Sequence, residues 1–521
     1  MKNATELKHH PAKFKSELKI VSLDELEKIC HQLKKSGRKI VHCHGVFDLL
    51  HPGHILHFEA AKKQGDVLVV TLTRDEHVGK GPGRPVFNQR LRAESIASLG
   101  CVDYVAVNLW PTAIETIKKI RPDFYAKGAD YENPQDDLTG KITDEENAVR
   151  SVGGRIHFTH EMSFSSTELL NRHYMVYPDQ AQTFLETFRG RHSVDQVIGS
   201  LKRLQDLKVL VIGDTIIDEY HYCSPMGKSP KESIVASKFL RSEAFAGGIL
   251  ACANHAAGFC SNVEVWTSIA KNDPREDFIL DHLKPHIKPR LFNRDDAPTV
   301  VKRRYVWDPF LVKLFEVVFI DDRPLPSKPE AQVLAQIKRS ISKFDLVIVA
   351  DYGHGFMTPA IIDLISRKAK YLAVNVQTNS ANTGYNTINK YRKADYICID
   401  EPEMRLAHQA KFGDLKKLVL HTARRMKCSH VTVTRGHLGS LVYSKKEGFF
   451  ETPIFSKEIV DRVGAGDAFL AVTAPLAAQK VPGDLIGFIG NTVGALAVRI
   501  VGNKTAVEPV PLFKFITALL K

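Results

Sequence analysis

Two short segments of the chain contain the residue types that phosphate chemistry requires. The first runs from His44 to His54, reads HGVFDLLHPGH, and lies between an apolar run and a helical pattern. At such a position a parallel sheet presents the ends of its strands, and the helix presents free N–H groups to an anion. His51 and His54 could reach a triphosphate together, and Gly53 leaves room for close approach of a phosphate. The segment therefore predicts a site for phosphoryl groups.

Nucleotidyl transfer is one reaction that uses such groups. Attack of a phosphate oxygen on an α-phosphorus builds negative charge on the transferring group and on pyrophosphate. Positioned donors lower that barrier without a covalent intermediate. Histidine supplies a donor without a permanent charge. A pair of loop histidines is also often structural, and H-x-x-H is compatible with zinc, but no third ligand lies nearby in the sequence. The prediction therefore depends on the whole string.

The second segment, residues 461–469, reads DRVGAGDAF. Gly464, Ala465 and Gly466 form a turn of small residues, and Asp467 lies just inside the helical pattern that follows. Backbone N–H groups in such a turn make an anion hole, to which the helix end contributes. Asp467 can take a proton from a hydroxyl group while the hole holds a transferring phosphoryl group. A glycine-rich turn followed by aspartate is often only structural, so this pattern is weak on its own.

Both segments are positioned by strands that alternate with helices. One series of apolar runs and amphipathic stretches begins at residue 39, and a second begins with LKVLVIGD at residues 207–214. This alternation predicts parallel sheets with crossover helices. We therefore predict an α/β protein with two Rossmann-like, doubly wound parallel-sheet domains. The predicted divisions are an N-terminal extension (1–21), a first domain (22–173), a linker with one helix (174–205) and a second domain (206–521).

Composition argues against several other classes of protein. The 521 residues are 44% hydrophobic and 25% charged, which is typical of a globular protein. The net charge of +13 is compatible with nucleic-acid binding, but the basic residues form no dense tract, so we expect no nucleic-acid partner. The chain has eight scattered cysteines, a polar N-terminus, and no apolar run of about 18 residues. These features predict a cytoplasmic protein with no membrane partner.

The first string resembles the GxFDxxHxGH signature of the cytidylyltransferase-like nucleotidyltransferases. Over roughly residues 22–173, further segments resemble the nucleotidyltransferase domain of bifunctional ADP-heptose synthases: K-G, R-P and Q-R from Lys80 to Arg90, KGADY from Lys127, and SST from Ser165. The resemblance implies that His51 and His54 stabilise the transferring phosphate. The nucleotide- and phosphate-binding residues that it implies are Gly45, Phe47, Gly53, Lys80, Arg90, Ser166 and Thr167.

The second string resembles the DTxGAGD signature of the ribokinase-like (PfkB) sugar kinases, with further matching segments over roughly residues 207–515. It implies that Asp467 is the catalytic base, that Gly464, Ala465 and Gly466 form the anion hole, and that ATP binds with Mg²⁺. No residues are expected to form a metal site of their own. The implied substrate-binding residues are Asp214, Asp218, Gly247, Gly248, Lys302 and Arg304, and the implied ATP-side residues are Glu403, Thr434, Gly436 and Gly439.

Three segments depart from the kinase pattern. The asparagine of GGxxN is replaced by Ala251, although Asn254 lies three positions later. The D-P-K segment reads Asn375-Val376-Gln377, and N-x-x-E reads Asp400-Glu401-Pro402-Glu403. These changes leave open both the identity of the acceptor and the activity of the kinase.

Together the resemblances imply a bifunctional enzyme that makes a nucleotide-activated sugar, similar to ADP-heptose for surface polysaccharide. A kinase would phosphorylate a sugar with MgATP, and a transferase would join a sugar phosphate to the nucleotidyl group of ATP or CTP, with release of pyrophosphate. In the heptose synthases the kinase comes first, so the order is reversed here. One alternative is a nucleotidyltransferase whose degenerate kinase domain senses a sugar phosphate, and another is an RNA-binding protein. The expected partners are small molecules, and a homodimer is compatible with the sequence.

Overall fold

The computed structural model describes residues 16–129, 132, 141–160 and 177–521. The chain divides into two units, of which the first ends at Val176 and the second runs from Tyr177 to Leu520. Within the described ranges, no helix is both long and apolar enough to cross a membrane.

The first unit contains a five-stranded parallel sheet with helices between its strands. Its strands are β1 (Ile40–Gly45), β2 (Val67–Thr73), β3 (Tyr104–Asn108), β4 (Phe124–Gly128) and β5 (Arg155–Thr159). Its helices are α1 (Leu23–Lys35), α2 (Pro52–Lys62), α3 (Gln89–Ala97), α4 (Ile114–Ile120) and α5 (Lys141–Ser151). The order in the sheet is β3-β2-β1-β4-β5, and every neighbouring pair is parallel.

This strand order reverses direction at β1. The chain moves from β1 outward through β2 to β3 and then returns to place β4 on the other side of β1. In doubly wound sheets, ligands bind beyond the carboxyl ends of the strands at such a reversal. All seven residues of β2 are buried, as expected for a strand covered by helices on both faces. The HGVFDLLHPGH string leaves the sheet at this point.

The second unit contains two sheets. Its strands are β6 (Lys208–Gly213), β7 (Thr215–Lys228), β8 (Val235–Gly248), β9 (Asn262–Ala270), β10 (Lys288–Arg294), β11 (Val300–Trp307), β12 (Val312–Phe319), β13 (Leu346–Asp351), β14 (Leu372–Val376), β15 (Tyr396–Asp400), β16 (His430–Thr434), β17 (Ser440–Ser444) and β18 (Gly448–Thr452). The main sheet has the order β10-β9-β6-β13-β14-β15-β16-β17-β18, and only β17 and β18 are antiparallel to their neighbours.

Helices cover both faces of this main sheet. They are α6 (Asp179–Arg189), α7 (Val194–Lys202), α8 (Ile249–Ala256), α9 (Glu276–Asp281), α10 (Ser327–Ser340), α11 (Pro359–Lys368), α12 (Glu401–Ala407), α13 (Leu415–Arg425), α14 (Ala465–Ala478), α15 (Gly483–Ala497) and α16 (Pro509–Leu520). The strand order reverses at β6, which lies between β9 and β13. Residues that follow β6 and β13 therefore meet at the edge where a doubly wound sheet binds its ligand.

The smaller sheet was not predicted from the sequence. Its order is β12-β11-β7-β8, in which β7 and β11 are parallel and the outer pairs are antiparallel. Strands β7 and β8 each have 14 residues, and much of β8 and nearly all of β12 is exposed. Because these strands are not covered by helices on both faces, they lack the continuous apolar runs that mark the main sheet.

Residues 179–202, which lie within the predicted linker, form α6 and α7 on the surface of the second unit. Phe188 of α6 stacks on Phe488 of α15 with a centroid distance of 4.3 Å. His192 bonds Asp484 at 2.8 Å, and Arg189 donates to the carbonyl oxygen of Leu519. The segment is therefore packed against the second unit by apolar and polar contacts.

Candidate active sites

In the first unit, His51 and His54 form one surface at the start of α2. His51 is the N-cap residue of the helix, and His54 lies in its first turn. Their rings stack with a centroid distance of 3.9 Å and an interplanar angle of 25°. The ring of Phe47, whose φ is 49°, meets the His54 ring edge-on at 5.2 Å. A Cβ atom on Gly45 would lie only 2.8 Å from the tip of the Phe47 ring, so a side chain there would displace this ring.

Both histidines are neutral at pH 7 in the free protein. Burial, followed by the positive charge of Lys80, lowers the pKa of His51. Burial lowers the pKa of His54 to about 3, with further contributions from His51 and Lys80. Lys80 therefore lies near both rings although it is 26 or more residues away in sequence. Gly53 occupies the same first turn of the helix, so the structure brings these four predicted residues together.

A buried ion pair that the sequence analysis did not single out holds the Lys80 loop in place. Arg84 Nη1 lies 3.1 Å from Asp48 Oδ2, and the two side chains are 1% and 0% exposed. The other oxygen of Asp48 accepts the backbone N–H groups of Val86 at 2.6 Å and Phe87 at 3.3 Å. Asp48 belongs to the HGVFD segment, so the pair fixes the glycine-rich loop beside the histidines. Asp48 and Arg84 both lie in segments that resemble the nucleotidyltransferases, and this resemblance was the feature of the sequence that could have identified the pair.

Arg90, which was expected to bind phosphate, contacts a carboxylate in this structure. Its side chain is 86% exposed and pairs with Glu94 at 2.8 Å along α3. The buried arginine of this helix is Arg92, which donates to the carbonyl oxygens of Val46 and, at 2.8 Å, Thr73. Two other predicted phosphate-binding residues, Ser166 and Thr167, lie outside the described residues.

A second lysine lies at the end of β4, beside the reversal in strand order. Lys127 pairs with Glu145 at 2.8 Å, and Tyr125 donates its hydroxyl to the same carboxylate at 3.1 Å. Burial, followed by the positive charge of Lys127, lowers the pKa of His44 to about 4 and that of His57 to about 4. The ligand edge of this sheet therefore combines neutral imidazoles with two lysines, an arrangement suited to a polyphosphate.

In the second unit, Asp467 lies buried in the first turn of α14. Its Oδ1 accepts the Tyr352 hydroxyl at 2.7 Å and the Gln377 side-chain amide at 2.8 Å. Burial raises the pKa of Asp467 to about 6. A carboxylate with a pKa close to neutrality is suited to accept a proton from a hydroxyl group.

The turn before Asp467 has the backbone of an anion site. Gly464 is the N-cap of α14 with φ 79°, and a Cβ atom there would lie 1.7 Å from Asn503 Oδ1. Ala465 and Gly466 open the helix, and a Cβ atom on Gly466 would meet nothing closer than 3.9 Å. Gly464 and Ala465 are partly exposed and Gly466 is exposed, so the start of α14 borders solvent, where a helix N-terminus can meet a phosphoryl group.

Four predicted residues meet here, two from β11 and one each from β7 and β8. Arg304 on β11 pairs with Asp218 on β7, and also with Glu316 at 2.8 Å. Burial lowers the pKa of Lys302, whose ammonium group is attracted by the carboxylates of Asp218 and Asp467. A Cβ atom on Gly247 would lie 2.0 Å from Asp218 Oδ2, so this glycine admits the carboxylate. The small sheet therefore places Asp218 and Lys302 near Asp467.

Asp214, expected to contact substrate, is engaged by the backbone instead. Its two oxygens accept the N–H groups of Tyr352 at 3.0 Å, His354 at 3.2 Å and Phe356 at 3.1 Å. This carboxylate holds the loop after β13. Gly248, with φ 55°, allows the backbone to pass close to the carbonyl oxygen of Asp214.

Asn254 does not replace the asparagine that is missing from GGxxN. Its amide nitrogen donates to the carbonyl oxygen of His282 at 2.8 Å, and its oxygen accepts the N–H of Lys284 at 3.0 Å. Both bonds connect α8 to the loop after α9, so the side chain is committed to that loop.

Glu403, which was expected on the ATP side, forms a capping box with Asp400 at the start of α12. Glu403 accepts the N–H groups of Asp400 at 3.1 Å and Thr378 at 3.0 Å, and burial raises its pKa to about 8. Thr434 ends β16, and with Gly436 it lines a cavity of about 790 Å³ beside α12. Gly439, with φ 82°, follows in the same turn.

Two family models match the chain. Residues 42–172 match the model described as "Cytidylyltransferase-like", and residues 328–509 match "pfkB family carbohydrate kinase". Two relatives named "Bifunctional protein HldE" align with the first unit. The protein from Aliarcobacter butzleri is 42% identical over 139 residues, covering 26% of this chain and 29% of its own. The protein from Geobacter metallireducens is 36% identical over 168 residues, covering 32% and 33%. The alignments thus span about a third of these relatives.

The second unit resembles solved kinases in fold. Phosphofructokinase-2 from Escherichia coli, in complex with substrates and products, aligns with a TM-score of 0.50 and 12% identity, covering 61% of this chain and 100% of its own. This likeness concerns the fold alone. The α/β class with parallel-sheet domains is therefore confirmed. Residues 42–172 therefore resemble cytidylyltransferase-like proteins, and residues 328–509 resemble pfkB family carbohydrate kinases.

Proposed function

We propose that the chain is a bifunctional enzyme that phosphorylates a sugar in its second unit and activates a sugar phosphate with a nucleotide in its first. The observation that carries the proposal is the presence, in one chain, of two strand-end sites with complementary groups. One has stacked neutral histidines beside Lys80, and the other has the buried carboxylate of Asp467 in the first turn of a helix. The HldE relatives, named as bifunctional proteins, support a product of the ADP-heptose kind.

In the first unit, a phosphate oxygen of the sugar phosphate attacks the α-phosphorus of ATP or CTP, and pyrophosphate leaves. His51 and His54 donate N–H groups to the transferring phosphoryl oxygens, and Lys80 neutralises the charge that develops on pyrophosphate. Both imidazoles are neutral before the nucleotide binds. They can therefore donate N–H groups to the phosphate without attracting a permanent counter-ion to the free site. The Asp48–Arg84 pair keeps Lys80 within reach of these rings.

In the second unit, a hydroxyl group of the sugar attacks the γ-phosphorus of MgATP, and ADP leaves. Asp467 accepts the hydroxyl proton, and the backbone N–H groups of residues 464–466 hold the transferring phosphoryl group. Lys302 and Arg304 lie on the acceptor side, where they are placed to bind an acceptor that already carries a phosphate.

The proposal is tested by screening the purified chain with ATP, CTP, GTP and UTP against sugars of five to seven carbons and their phosphates. Release of pyrophosphate and of ADP is followed separately. We expect pyrophosphate with ATP or CTP and one sugar phosphate, and ADP with one sugar or sugar phosphate. Pyrophosphate from neither nucleotide, under conditions in which an HldE protein is active, would refute the proposed transferase.

A second candidate function keeps only the transferase, with the kinase fold as a sensor of a sugar phosphate. Two residues that depart from the kinase pattern motivate this candidate: Gln377, whose amide donates to Asp467, and Asp400, which accepts the N–H of Glu403. An Asp467→Ala variant separates the two. If phosphorylation of the acceptor is equal in the variant and the wild type, the second unit is not the source of kinase activity.

A further inference from the structure

The two side-chain hydrogen bonds of Asp467 fall on the same oxygen. Both the Tyr352 hydroxyl and the Gln377 amide donate to Oδ1, at 2.7 Å and 2.8 Å. Among the residues that the structure describes, no hydrogen-bond donor meets Oδ2. The carboxylate is therefore held by one oxygen while the other stays available.

Tyr352 is a donor that cannot change its protonation state in the working pH range. It is buried, and burial together with the negative charge of Asp467 raises its pKa well above the ordinary value. Its backbone is fixed as well, because its N–H donates to the Asp214 carboxylate at 3.0 Å. The role of Asp214 in holding this loop thus extends, through Tyr352, to the orientation of Asp467.

Gln377 is also held at a fixed point. Its backbone N–H donates to the carbonyl oxygen of Asp351 at 2.9 Å, and its own carbonyl oxygen accepts Asn386 Nδ2 at 2.9 Å. The side-chain amide therefore approaches Asp467 from a tethered backbone. Unlike a lysine at this position, the amide supplies a hydrogen bond without a positive charge.

We infer that Tyr352 and Gln377 are positioning residues for the base of the second unit, which hold Asp467 by Oδ1 so that Oδ2 meets the acceptor hydroxyl. They also set its basicity. The inference rests on the proposed kinase function. It goes beyond that function because it assigns tasks to two residues outside the anion hole and the acceptor side.

Several charged or titratable groups face Asp467 from the surrounding elements. Asp218 on β7 raises its pKa, and Lys302 on β11 lowers it, whereas the hydrogen bonds from Tyr352 and Gln377 both lower it. Two thiols also face it, those of Cys252 on α8 and Cys398 on β15. Removal of the Tyr352 hydroxyl should therefore raise the pKa of Asp467, and Gln377→Lys should lower it.

The first test does not depend on enzymatic activity. Calorimetric unfolding of the full chain is compared at pH 5 and pH 8 for wild type and Tyr352→Phe, each with and without the further substitution Asp467→Asn. The hydrogen bond matters most when Asp467 is ionised, above its pKa of about 6. We therefore expect Tyr352→Phe to lower the unfolding midpoint by about 3 °C more at pH 8 than at pH 5. In the Asp467→Asn background this difference between the two pH values should disappear.

The control for this test is Tyr396→Phe. Tyr396 is another buried tyrosine of the second unit, and its hydroxyl bonds Thr432 at 3.0 Å and Thr473 at 2.8 Å. Its loss should shift the midpoint equally at both pH values. If Tyr352→Phe behaves like this control, or has the same effect with and without the Asp467 carboxylate, the inference is overturned.

The second test follows the pH dependence of kcat for phosphorylation of the acceptor found in the screen. Tyr352→Phe should move the acidic limb up by about one pH unit, and Gln377→Lys should move it down. KM for the acceptor should change less than twofold, since neither residue binds it. An unchanged acidic limb in an active Tyr352→Phe variant would overturn the inference. Absence of phosphorylation by the wild type would instead overturn the proposed function, and the calorimetric test would still report on the placement of Asp467.

Discussion

Replacement of Arg84 by methionine is expected to destabilise the first unit strongly. The Arg84–Asp48 pair has side chains that are 1% and 0% exposed, so loss of the arginine leaves a buried carboxylate that, among the described residues, keeps two backbone N–H donors. Breaking such a pair from one side costs about 3–5 kcal/mol, a large share of the ~5–15 kcal/mol that stabilises a typical domain. For a unit of this size the unfolding midpoint should fall by roughly 10 °C.

Differential scanning calorimetry of the full chain measures this change. Arg90→Met is the matched control, because Arg90 pairs with Glu94 on the surface and is 86% exposed. An exposed pair within one helix contributes only about 0.3–0.5 kcal/mol. The double variant Asp48→Asn with Arg84→Met should recover part of the loss, since the asparagine is uncharged and still accepts the two N–H groups. If Arg84→Met shifts the midpoint no more than Arg90→Met does, the pair does not hold the loop and our reasoning fails.

Two further predictions concern the two sites. Gly464→Ala should reduce kcat/KM of the kinase reaction at least tenfold and leave pyrophosphate release unchanged. The reason is that φ of Gly464 is 79° and the new methyl group would overlap Asn503. Gly494→Ala is the control, because there is open space around Gly494. Binding of a nucleoside triphosphate at pH 6 should take up protons, because the anion raises the lowered pKa of His54 toward its ordinary value. Calorimetric titration in buffers of different ionisation enthalpy measures this uptake, and an equal uptake by His54→Asn would contradict the assignment.

The sequence was sufficient to predict the parts of the fold in which apolar strands alternate regularly with amphipathic helices. The two series of alternating elements were predicted to begin at residue 39 and at residues 207–214, and the first strands of the two sheets, β1 and β6, begin at Ile40 and Lys208. The small sheet was missed because its strands are amphipathic or exposed, and because no helix separates β7 from β8 or β11 from β12. The segment at residues 179–202 was predicted to be a linker and not part of the second domain. Its packing partners, Phe488 and Asp484, lie about 290 to 300 residues away in the sequence, so no local pattern indicates the contact.

The same contrast holds for the sites. His51, His54 and Asp467 were predicted because they stand inside long strings with a known resemblance. Tyr352 and Asp48 were missed as functional residues because their roles arise from contacts across the sheet edge, which no local pattern reveals. Asp214 was expected at the substrate because of the resemblance to the sugar kinases, and the three N–H groups that its carboxylate accepts can be seen only in three dimensions.

The central claim is that the chain has two separate catalytic sites, and a dual-label experiment tests it most directly. The wild type, His54→Ala and Asp467→Ala are each given ATP labelled in the γ-phosphate and, separately, nucleotide labelled in the α-phosphate, with the sugar substrates from the screen. We predict that His54→Ala loses only transfer of the α-label and that Asp467→Ala loses only transfer of the γ-label. Retention of γ-label transfer by Asp467→Ala, or loss of both transfers in either variant while its fold is intact, would contradict the account.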